Sequence, residues 1–373
     1  MTVLVLSTEE YLTLRLLKCL TAIGADVIIL NAGEGSALRA SRHCRCYSSF
    51  DRAELSDPNG ALLARIEQIC RKQVIDVILP SGMASGFFLA SIQNRLSVPA
   101  LPLPTLDMLQ LLDNKWLFSR LLEEHHLPFP VSRLLEQVED GDTLDLKFPV
   151  IVKPLNLDAS RGVTRCNTRQ EVAAHLQSAG ATLPLLAQEF IPGADVGLGL
   201  LASGGNVLAS TIQRQTPDGS GVEFIDHPEI LEIGRRIMAI CNYDGIAHFD
   251  LRIDSRDGSV KILECNPRFW ASLPFCMLAG VNFADLGVLL AQNQRVPETI
   301  CRPVRIVFPT KVLLVAFRSR RERRSLGRES QQALRFTLSD PVPNIVLGAQ
   351  KVRREIDRLF LRFFSKTSRE AYK

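Results

Sequence analysis

The sequence reads Gly245-Ile-Ala-His-Phe-Asp-Leu-Arg-Ile-Asp254 at its most informative point, followed after a short turn by Val260-Lys-Ile-Leu-Glu-Cys-Asn-Pro-Arg-Phe-Trp270. From Ala247 onward apolar and polar residues alternate in the first segment, which is typical of a β-strand with two different faces. The residues between the two segments, Ser255-Arg-Asp-Gly-Ser259, are typical of a turn. The pattern therefore predicts a β-hairpin.

This hairpin would bring three oxygen ligands together. Asp250 lies in the first strand, while Glu264 and Asn266 are two residues apart in the second strand and therefore share a face. Carboxylate and amide oxygens are the ligands that Mg²⁺ prefers, particularly where nucleotide phosphates complete its octahedron. A hairpin with ordinary polar residues on a solvated face has the same pattern, so the hairpin alone leaves both interpretations open.

Length and composition restrict the class of protein. A chain of 373 residues allows two or three compact domains, and 46% apolar with 23% charged residues is ordinary for a soluble protein. The nine cysteines are odd in number and scattered, which indicates reduced thiols rather than a disulfide framework or a zinc site. A basic signal-peptide region and an apolar run of roughly 18 residues are both missing. We therefore expect a cytoplasmic protein.

The first 105 residues alternate between short apolar strands and helices, which predicts a parallel sheet with crossover helices in a Rossmann-like α/β domain. Gly33-Glu-Gly35 lacks the third glycine of a dinucleotide fingerprint, so we interpret it as part of a loop. The stretch between the second strand and Leu62 reads as irregular. The strands are predicted at Val3–Leu6, Asp26–Leu30 and Ile75–Leu79.

Paired strands and separate helices make residues 111–300 an α+β region. One short apolar strand delivers Lys153 at its end, and a buried lysine there needs an anionic partner because an unpaired buried charge is costly. The residues from Gln213 to Gly221 read as a mobile loop across the substrate side. In that loop Arg214 is a candidate for binding a substrate carboxylate, and His248 alternates with Asp250 and could line the same site.

From Asp113 to Phe269 these segments resemble the ATP-grasp superfamily, whose members are ligases that activate a carboxylate with ATP. The sequence Glu264-Cys-Asn-Pro-Arg268 resembles the E-x-N-P-R element of the carbamoyl-phosphate-synthetase and biotin-carboxylase branch. A Lys-Pro strand and a Gln-Glu-Phe-Ile-x-Gly hinge precede it in the family's order. We interpret the chain as a Rossmann-like domain (1–105), an ATP-grasp small subdomain (106–185), a large subdomain (186–303) and a basic C-terminal extension with an amphipathic helix (304–373).

The resemblance implies a role for each matching residue. Asp250, Glu264 and Asn266 would hold Mg²⁺, or Mn²⁺, against the β- and γ-phosphates of ATP. Arg268 would stabilise the negative charge that develops on the transferred phosphoryl group. The loop 157–163 has fewer glycines than the family's usual phosphate-covering loop. The remaining nucleotide contacts would come from Lys115, Lys153, Ser160, Gly162, Glu189, Phe190, Ile191 and Asp195.

The implied activity is an ATP-dependent ligase that converts a small-molecule carboxylate into an acyl-phosphate and joins it to an amine or a thiol, with release of ADP and phosphate. Two alternatives remain open. One is a nucleotide-binding regulatory or membrane-adaptor protein without turnover, which the glycine-poor loop favours. The other, within the same class, is a bicarbonate-activating enzyme similar to a carboxylase. A homodimer is compatible with all three.

Basic residues concentrate at the C-terminus. Residues 318–373 hold fifteen Lys and Arg against six Asp and Glu, a net charge of +9, whereas the whole chain carries +4. A helix is predicted from about Asn344 to Phe364, with an apolar stripe and arginines largely elsewhere. It either docks on the protein or a partner, or the segment 318–366 contacts the anionic inner face of a membrane. Nucleic acid binding is not expected, because no recognised binding fold accompanies the arginines.

Overall fold

A computed structural model of the chain describes residues 1–34, 36–157, 161–178, 182–297, 299, 301–318 and 326–353. The strands of these residues form three sheets, one parallel and two antiparallel. This arrangement confirms the predicted fold class, an α/β domain followed by an α+β region.

The N-terminal sheet is parallel and has the strand order β3-β2-β1-β4. The prediction that the residues between the second strand and Leu62 are irregular is wrong in part, because they contain the edge strand β3 and a short helix. Most side chains of β3 are exposed or half-buried, so this strand has no apolar run to mark it. The elements are β1 (Thr2–Ser7), α1 (Glu10–Thr21), β2 (Asp26–Ala32), α2 (Ser36–Arg39), β3 (Cys44–Phe50), α3 (Ala61–Gln73), β4 (Val77–Ser81) and α4 (Met83–Ile92).

The second sheet is small and antiparallel, with the order β5-β8-β6-β7. It has a core of its own, in which Val150 and Val152 of β6 are fully buried. Lys153 follows them directly and lies at the end of the strand, as predicted. The elements are α5 (Leu106–Asp113), α6 (Lys115–Glu124), β5 (Ser132–Leu135), α7 (Asp140–Thr143), β6 (Val150–Pro154), β7 (Thr164–Cys166), α8 (Arg169–Leu176) and β8 (Leu185–Glu189).

The third sheet contains the predicted hairpin, which forms its edge in the strand order β13-β12-β9-β10-β11-β14. Strands β12 and β13 pair antiparallel, with Asp250 directly opposite Glu264 and His248 opposite Asn266. The elements are β9 (Gly193–Ser203), β10 (Asn206–Gln215), β11 (Gly221–Phe224), α9 (Pro228–Ile240), β12 (Gly245–Asp254), β13 (Val260–Asn266), α10 (Leu273–Leu278), α11 (Phe283–Ala291) and β14 (Val304–Val307).

The prediction of a loop from Gln213 to Gly221 is wrong in part, because only residues 216–220 form a turn. Strand β10 continues to Gln215 and pairs with β11, so that Arg214 lies opposite Glu223 in a hairpin with a short turn. The end of β10 carries the consecutive polar residues 213–215, which line a cavity rather than the core. The sequence therefore lacks the apolar alternation by which such a strand is recognised.

The centre of the large sheet is packed unusually closely because β9 contains two glycines in alternate positions. A Cβ atom at Gly199 would lie 2.7 Å from Cη2 of Trp270, and one at Gly197 would lie 2.7 Å from Nε2 of His248. The indole and imidazole rings therefore rest directly on the backbone of β9, with their centroids 5.1 Å apart. Trp270 also makes an edge contact with Phe283 of α11, at 4.9 Å between ring centroids.

The C-terminal extension folds back onto the rest of the protein through α12 (Pro309–Arg318), α13 (Arg328–Ser339) and a helical segment at 342–353. Ala333 belongs to the main core, which Val346 and Leu347 also contact. Asp340, at the end of α13, accepts hydrogen bonds from the Ser41 hydroxyl and the Arg42 N–H. The helix predicted to extend to Phe364 is present as far as residue 353, and residues 354–373 lie outside the described residues.

Among the described helices, none is both long and apolar enough to cross a membrane.

We predict that Gly199→Ala lowers the free energy of unfolding by about 1–3 kcal/mol, because the new methyl group collides with a buried indole that is fixed on both sides. Gly86→Ala is the matched control. Gly86 lies inside α4, and a Cβ atom there would meet nothing within 4 Å. Urea unfolding should therefore show Gly86→Ala to be unchanged or stabilised by up to about 1 kcal/mol. Equal effects of the two substitutions would contradict this account of the β9 glycines.

Candidate active site

A cavity of about 560 Å³ lies between the two antiparallel sheets. Strands β6 and β8 of the small sheet supply one wall, and strands β9, β10, β12 and β13 of the large sheet supply the other. Most of the described residues that were predicted to form the site line this single cavity. They are Lys115, Lys153, Glu189, Phe190, Ile191, Asp195, Arg214, His248, Asp250 and Glu264.

Two carboxylates meet on the floor of the cavity. Asp250 lies opposite Glu264 across β12 and β13, and Asn266 donates from Nδ2 to Oδ2 of Asp250 at 3.0 Å. Burial and the neighbouring charge of Glu264 raise the pKa of Asp250 to about 8. Burial acts in the same direction on Glu264, but Lys115 and Lys153 outweigh it and hold the pKa of Glu264 below its usual value. The pair therefore binds a proton near neutral pH, on Asp250.

Two lysines face these carboxylates. Nζ of Lys115 lies 3.2 Å from Oε2 of Glu264 and donates to the Leu157 carbonyl at 2.8 Å. Lys153 is only 6% exposed, and its Nζ donates to Oε1 of Gln188 at 3.0 Å. Burial lowers the pKa of Lys153 to about 8, even though Glu264 acts to raise it. A neutral amide is a weak partner for a buried ammonium group, so the cavity is prepared for an anion beside Lys153.

The donor set fits Mg²⁺ bound together with phosphate. Within the described part of the chain, no three His, Cys, Asp or Glu side chains are grouped so that they could hold a metal ion by themselves. Asp250, Glu264 and the Asn266 amide offer hard oxygen atoms on adjacent strands, and Mg²⁺ commonly takes one or two carboxylates and completes its shell with phosphate and water. The Asn266 oxygen accepts from Nη2 of Arg268 at 3.1 Å, so that Arg268 reaches the site through Asn266.

The hinge after β8 leaves two backbone groups for a planar ligand. The Glu189 N–H donates to the Val131 carbonyl at 3.0 Å, and the Ile191 carbonyl accepts from Nη1 of Arg252 at 2.8 Å. These bonds do not use the Glu189 carbonyl or the Ile191 N–H, which are one acceptor and one donor on an extended backbone. The Phe190 ring lies 4.3 Å from the Arg165 guanidinium.

Arg252 is a residue to which the sequence analysis gave no role. Its guanidinium binds both carboxylate oxygens of Asp195, at 2.6 and 3.2 Å, besides the Ile191 carbonyl, and it lies 5.4 Å from the Phe190 ring centre. The carboxylate predicted for the ribose hydroxyls is thus already held by an arginine. The available signal was the alternation in β12, which puts Arg252 on the same face as Asp250.

On the substrate side, Arg214 lines the cavity and pairs with a residue of the neighbouring strand. Glu223 of the neighbouring strand binds its guanidinium at 3.0 Å from Nε and 2.9 Å from Nη2, so the charge of Arg214 is already matched. His248 is 8% exposed, and its Nε2 has no hydrogen-bond partner among the described residues. Burial and the charge of Arg268 lower the pKa of His248 to about 3, so the imidazole is neutral and can act only as a hydrogen-bonding group.

The loop 157–163, which is predicted to cover the phosphates, is described only at its ends, and Ser160 lies outside the described residues. Gly162 has a φ of +72°, and a Cβ atom there would lie 2.8 Å from Cγ of Pro154. The glycine is therefore required by its backbone conformation and by the close approach of Pro154. Arg161 lines the cavity at this end.

Comparison with known proteins identifies two overlapping matches to family models. The model described as a RimK-like ATP-grasp domain matches residues 112–222. The model described as ATP-grasp in the biosynthetic pathway with Ter operon matches residues 182–311. Together they span residues 112–311, which is more than half of the 373 residues.

Similar proteins include the carbamoyl phosphate synthase large chain of Thermoanaerobacter pseudethanolicus, 25% identical over 56% of this chain and 21% of its own length. The D-aspartate ligase of Enterococcus faecium is 26% identical over 48% of this chain and 49% of its own length. Among solved structures, the L-amino acid ligase of Bacillus licheniformis has a TM-score of 0.62 at 18% identity, covering 81% of this chain and 78% of its own.

The chain therefore spans about a fifth of the carbamoyl phosphate synthase and about half of the D-aspartate ligase. The family models, the sheet topology and the order of the motifs agree with one another over the same region. The chain belongs to the ATP-grasp superfamily.

Proposed function

We propose that the protein is an ATP-dependent ligase that activates a small-molecule carboxylate and joins it to an amine. The observation that carries this proposal is the meeting of two lysines with two carboxylates in one cavity between two sheets. Lys153 is buried with only an amide as its hydrogen-bond partner among the described residues, and Asp250 holds a proton beside Glu264. A triphosphate bound with a divalent cation would match both groups at once.

The nucleotide would lie with its base at the hinge and its phosphates near the lysines. The Glu189 carbonyl and the Ile191 N–H would bind the edge of the purine, and Asp195, fixed by Arg252, would accept from a ribose hydroxyl. At the other end of the cavity, Lys115 and Lys153 would contact the phosphates, while Asp250, Glu264 and Asn266 would hold Mg²⁺. The metal supplies positive charge that the phosphates need during transfer.

Two displacement steps follow from this arrangement. A carboxylate oxygen attacks the γ-phosphorus while the bond to the β-bridging oxygen breaks, which yields an acyl-phosphate and ADP. The amine nitrogen then attacks the acyl carbon, phosphate leaves, and the proton of the amine passes to phosphate or water. Lys153 and Arg268 contribute fixed positive charge, and the protein otherwise acts by positioning the reactants.

The cavity wall formed by β10 and β12 indicates the chemistry of the substrates. His248 and Gln213 line this wall; the imidazole is neutral, and Gln213 donates from Nε2 to the Ser272 hydroxyl. These are hydrogen-bonding groups rather than charges. We propose an amino acid as one substrate, since relatives of this chain include proteins named D-aspartate ligase and L-amino acid ligase.

A homodimer stays a prediction that light scattering can test.

The direct test is release of ADP from Mg-ATP in the presence of pooled carboxylates and amines, with bicarbonate as a separate arm. The ligase predicts ADP release that depends on a carboxylate and rises when an amine is added. Nucleotide binding without ADP release under any mixture would favour a regulatory protein on the same fold. ADP release with bicarbonate alone would favour the carboxylase-like alternative.

Glu264→Gln should abolish turnover and weaken Mg-ATP binding by about tenfold or more, because it removes a charged metal ligand and the ionic partner of Lys115. Glu232→Gln is the control. Glu232 lies exposed on α9, 4.0 Å from Arg235, and has no place in the proposed site. Calorimetric titration with a non-hydrolysable ATP analogue, together with an ADP-release assay, measures both effects. Full activity of Glu264→Gln would contradict the metal assignment.

Mg²⁺-dependent nucleotide binding should be tightest near pH 8. Below that pH the raised pKa of Asp250, about 8, keeps a proton on the carboxyl that the metal must displace, so affinity should rise by up to about tenfold per pH unit. Above that pH the lowered pKa of Lys153, also about 8, removes the ammonium charge that attracts the phosphates, so affinity should fall. In Asp250→Asn the rise should disappear. A flat profile for the wild-type protein would contradict both assignments.

Arg252→Lys should raise the Kd for Mg-ATP by about tenfold or more, because lysine cannot hold both oxygens of Asp195 and the Ile191 carbonyl together. Its effect on kcat at saturating ATP should be smaller, since Arg252 acts at the nucleoside end. Arg256→Lys is the matched control, because Arg256 also pairs with an aspartate, Asp254, at the tip of the same hairpin but outside the cavity. Equal Kd values for the two variants would overturn the role of Arg252.

A further inference from the structure

The helical segment 342–353 exposes apolar side chains on its outer face. Val342 is 49% exposed, Ile345 66% and Val352 59%, and Ala349 between them is also exposed. Their spacing of three, four and three residues puts all four on one side of a helix. We call these four residues the tail stripe. Val346 and Leu347 contact the main core instead, so the segment is apolar on two sides.

An apolar inner face is explained by packing, but an apolar outer face is not. Leu338, near the end of α13, is also 53% exposed. Contiguous exposed aliphatic groups are unfavourable in water unless they bind something. In the sequence the same three-and-four spacing continues at Ile356, Leu359 and Phe363, which lie outside the described residues.

The charged residues of the segment 326–353 are mainly basic. Arg328, Arg335, Lys351 and Arg353 are all exposed. Of the two acidic residues in 326–353, Asp340 is 7% exposed and is already bonded to Ser41 and Arg42. The full segment 318–373 carries a net charge of +9, whereas the rest of the chain is negative.

The exposed tail stripe and the basic residues together indicate one kind of binding partner. A second copy of the chain would bring another segment of +9 against the first, and the repulsion would oppose pairing along the stripe. An anionic lipid surface instead takes aliphatic side chains among its acyl chains and attracts the flanking cations to its headgroups. We propose that the tail stripe binds the surface of an anionic lipid bilayer and holds this protein there peripherally.

The helix would lie parallel to the bilayer, with its inner face still packed on the protein. A segment of 12 residues is about 18 Å long, which suits a shallow, reversible attachment. Binding should therefore need both components, the aliphatic side chains and the lysines and arginines, and should weaken as salt screens the charges. The proposal does not depend on the ligase reaction.

The test is co-sedimentation of the full chain with vesicles of phosphatidylglycerol and phosphatidylcholine, compared with vesicles of phosphatidylcholine alone. We expect binding to the anionic vesicles only, decreasing with added salt. The double variant Ile345→Ser/Val352→Ser should bind about tenfold more weakly or worse, with Mg-ATP binding unchanged. Val74→Ser is the control, because Val74 is a 75% exposed valine outside the extension, and it should bind like the wild type.

Three outcomes would overturn the proposal. Sedimentation of the double variant equal to that of the wild type would show that the tail stripe does not bind lipid. Equal binding to neutral and anionic vesicles would show that the positive charges do not contribute. A dimer detected by light scattering in the wild type and lost in the double variant, without vesicle binding, would assign the stripe to a second copy of the chain.

Discussion

The facing carboxylates of Asp250 and Glu264 are the constraint on which the site depends. Two like charges on adjacent strands cannot both be ionised without cations nearby, and here the second strand of the hairpin faces lysines from other elements. Lys115 begins α6, whose Phe118 and Leu122 pack in the core of the large sheet, whereas Lys153 lies in β6 of the small sheet. The charge of Lys153 therefore links the small sheet to the hairpin, and the cavity lies where the two sheets meet.

The close packing behind the hairpin explains why this arrangement can be held in place. His248 and Trp270 pack directly against the backbone of β9 at Gly197 and Gly199, and Phe283 contacts the indole as well. Side chains fixed in this way lose little entropy when a ligand binds. Arg252 has a comparable effect at the other end of the cavity, where its guanidinium joins β12 to the hinge after β8. In the proposed function, phosphate and purine recognition would therefore be connected through strand β12.

Many features of the fold and of the candidate site were predictable, because short-range patterns in the sequence determine them. The alternation in β12 and the two-residue spacing of Glu264 and Asn266 predicted a shared face, and the apolar strand before Lys153 predicted the position of this lysine at the strand's end. The sequence did not predict β3 or the continuation of β10, because edge strands and cavity-lining strands lack an apolar alternation. Nor did it predict the partners of Arg214 and Asp195, since Glu223 and Arg252 are brought to them by tertiary pairing that no local pattern encodes.

The central claim is that a carboxylate oxygen attacks the γ-phosphorus of ATP in this cavity, and isotope transfer tests it most directly. Once a carboxylate that supports ADP release is found, it is supplied with both oxygens labelled as ¹⁸O, and the released phosphate is analysed by mass spectrometry. The account predicts that one labelled oxygen appears in phosphate for each ADP formed. Phosphate whose new oxygen comes from water would show simple hydrolysis and would contradict the acyl-phosphate mechanism.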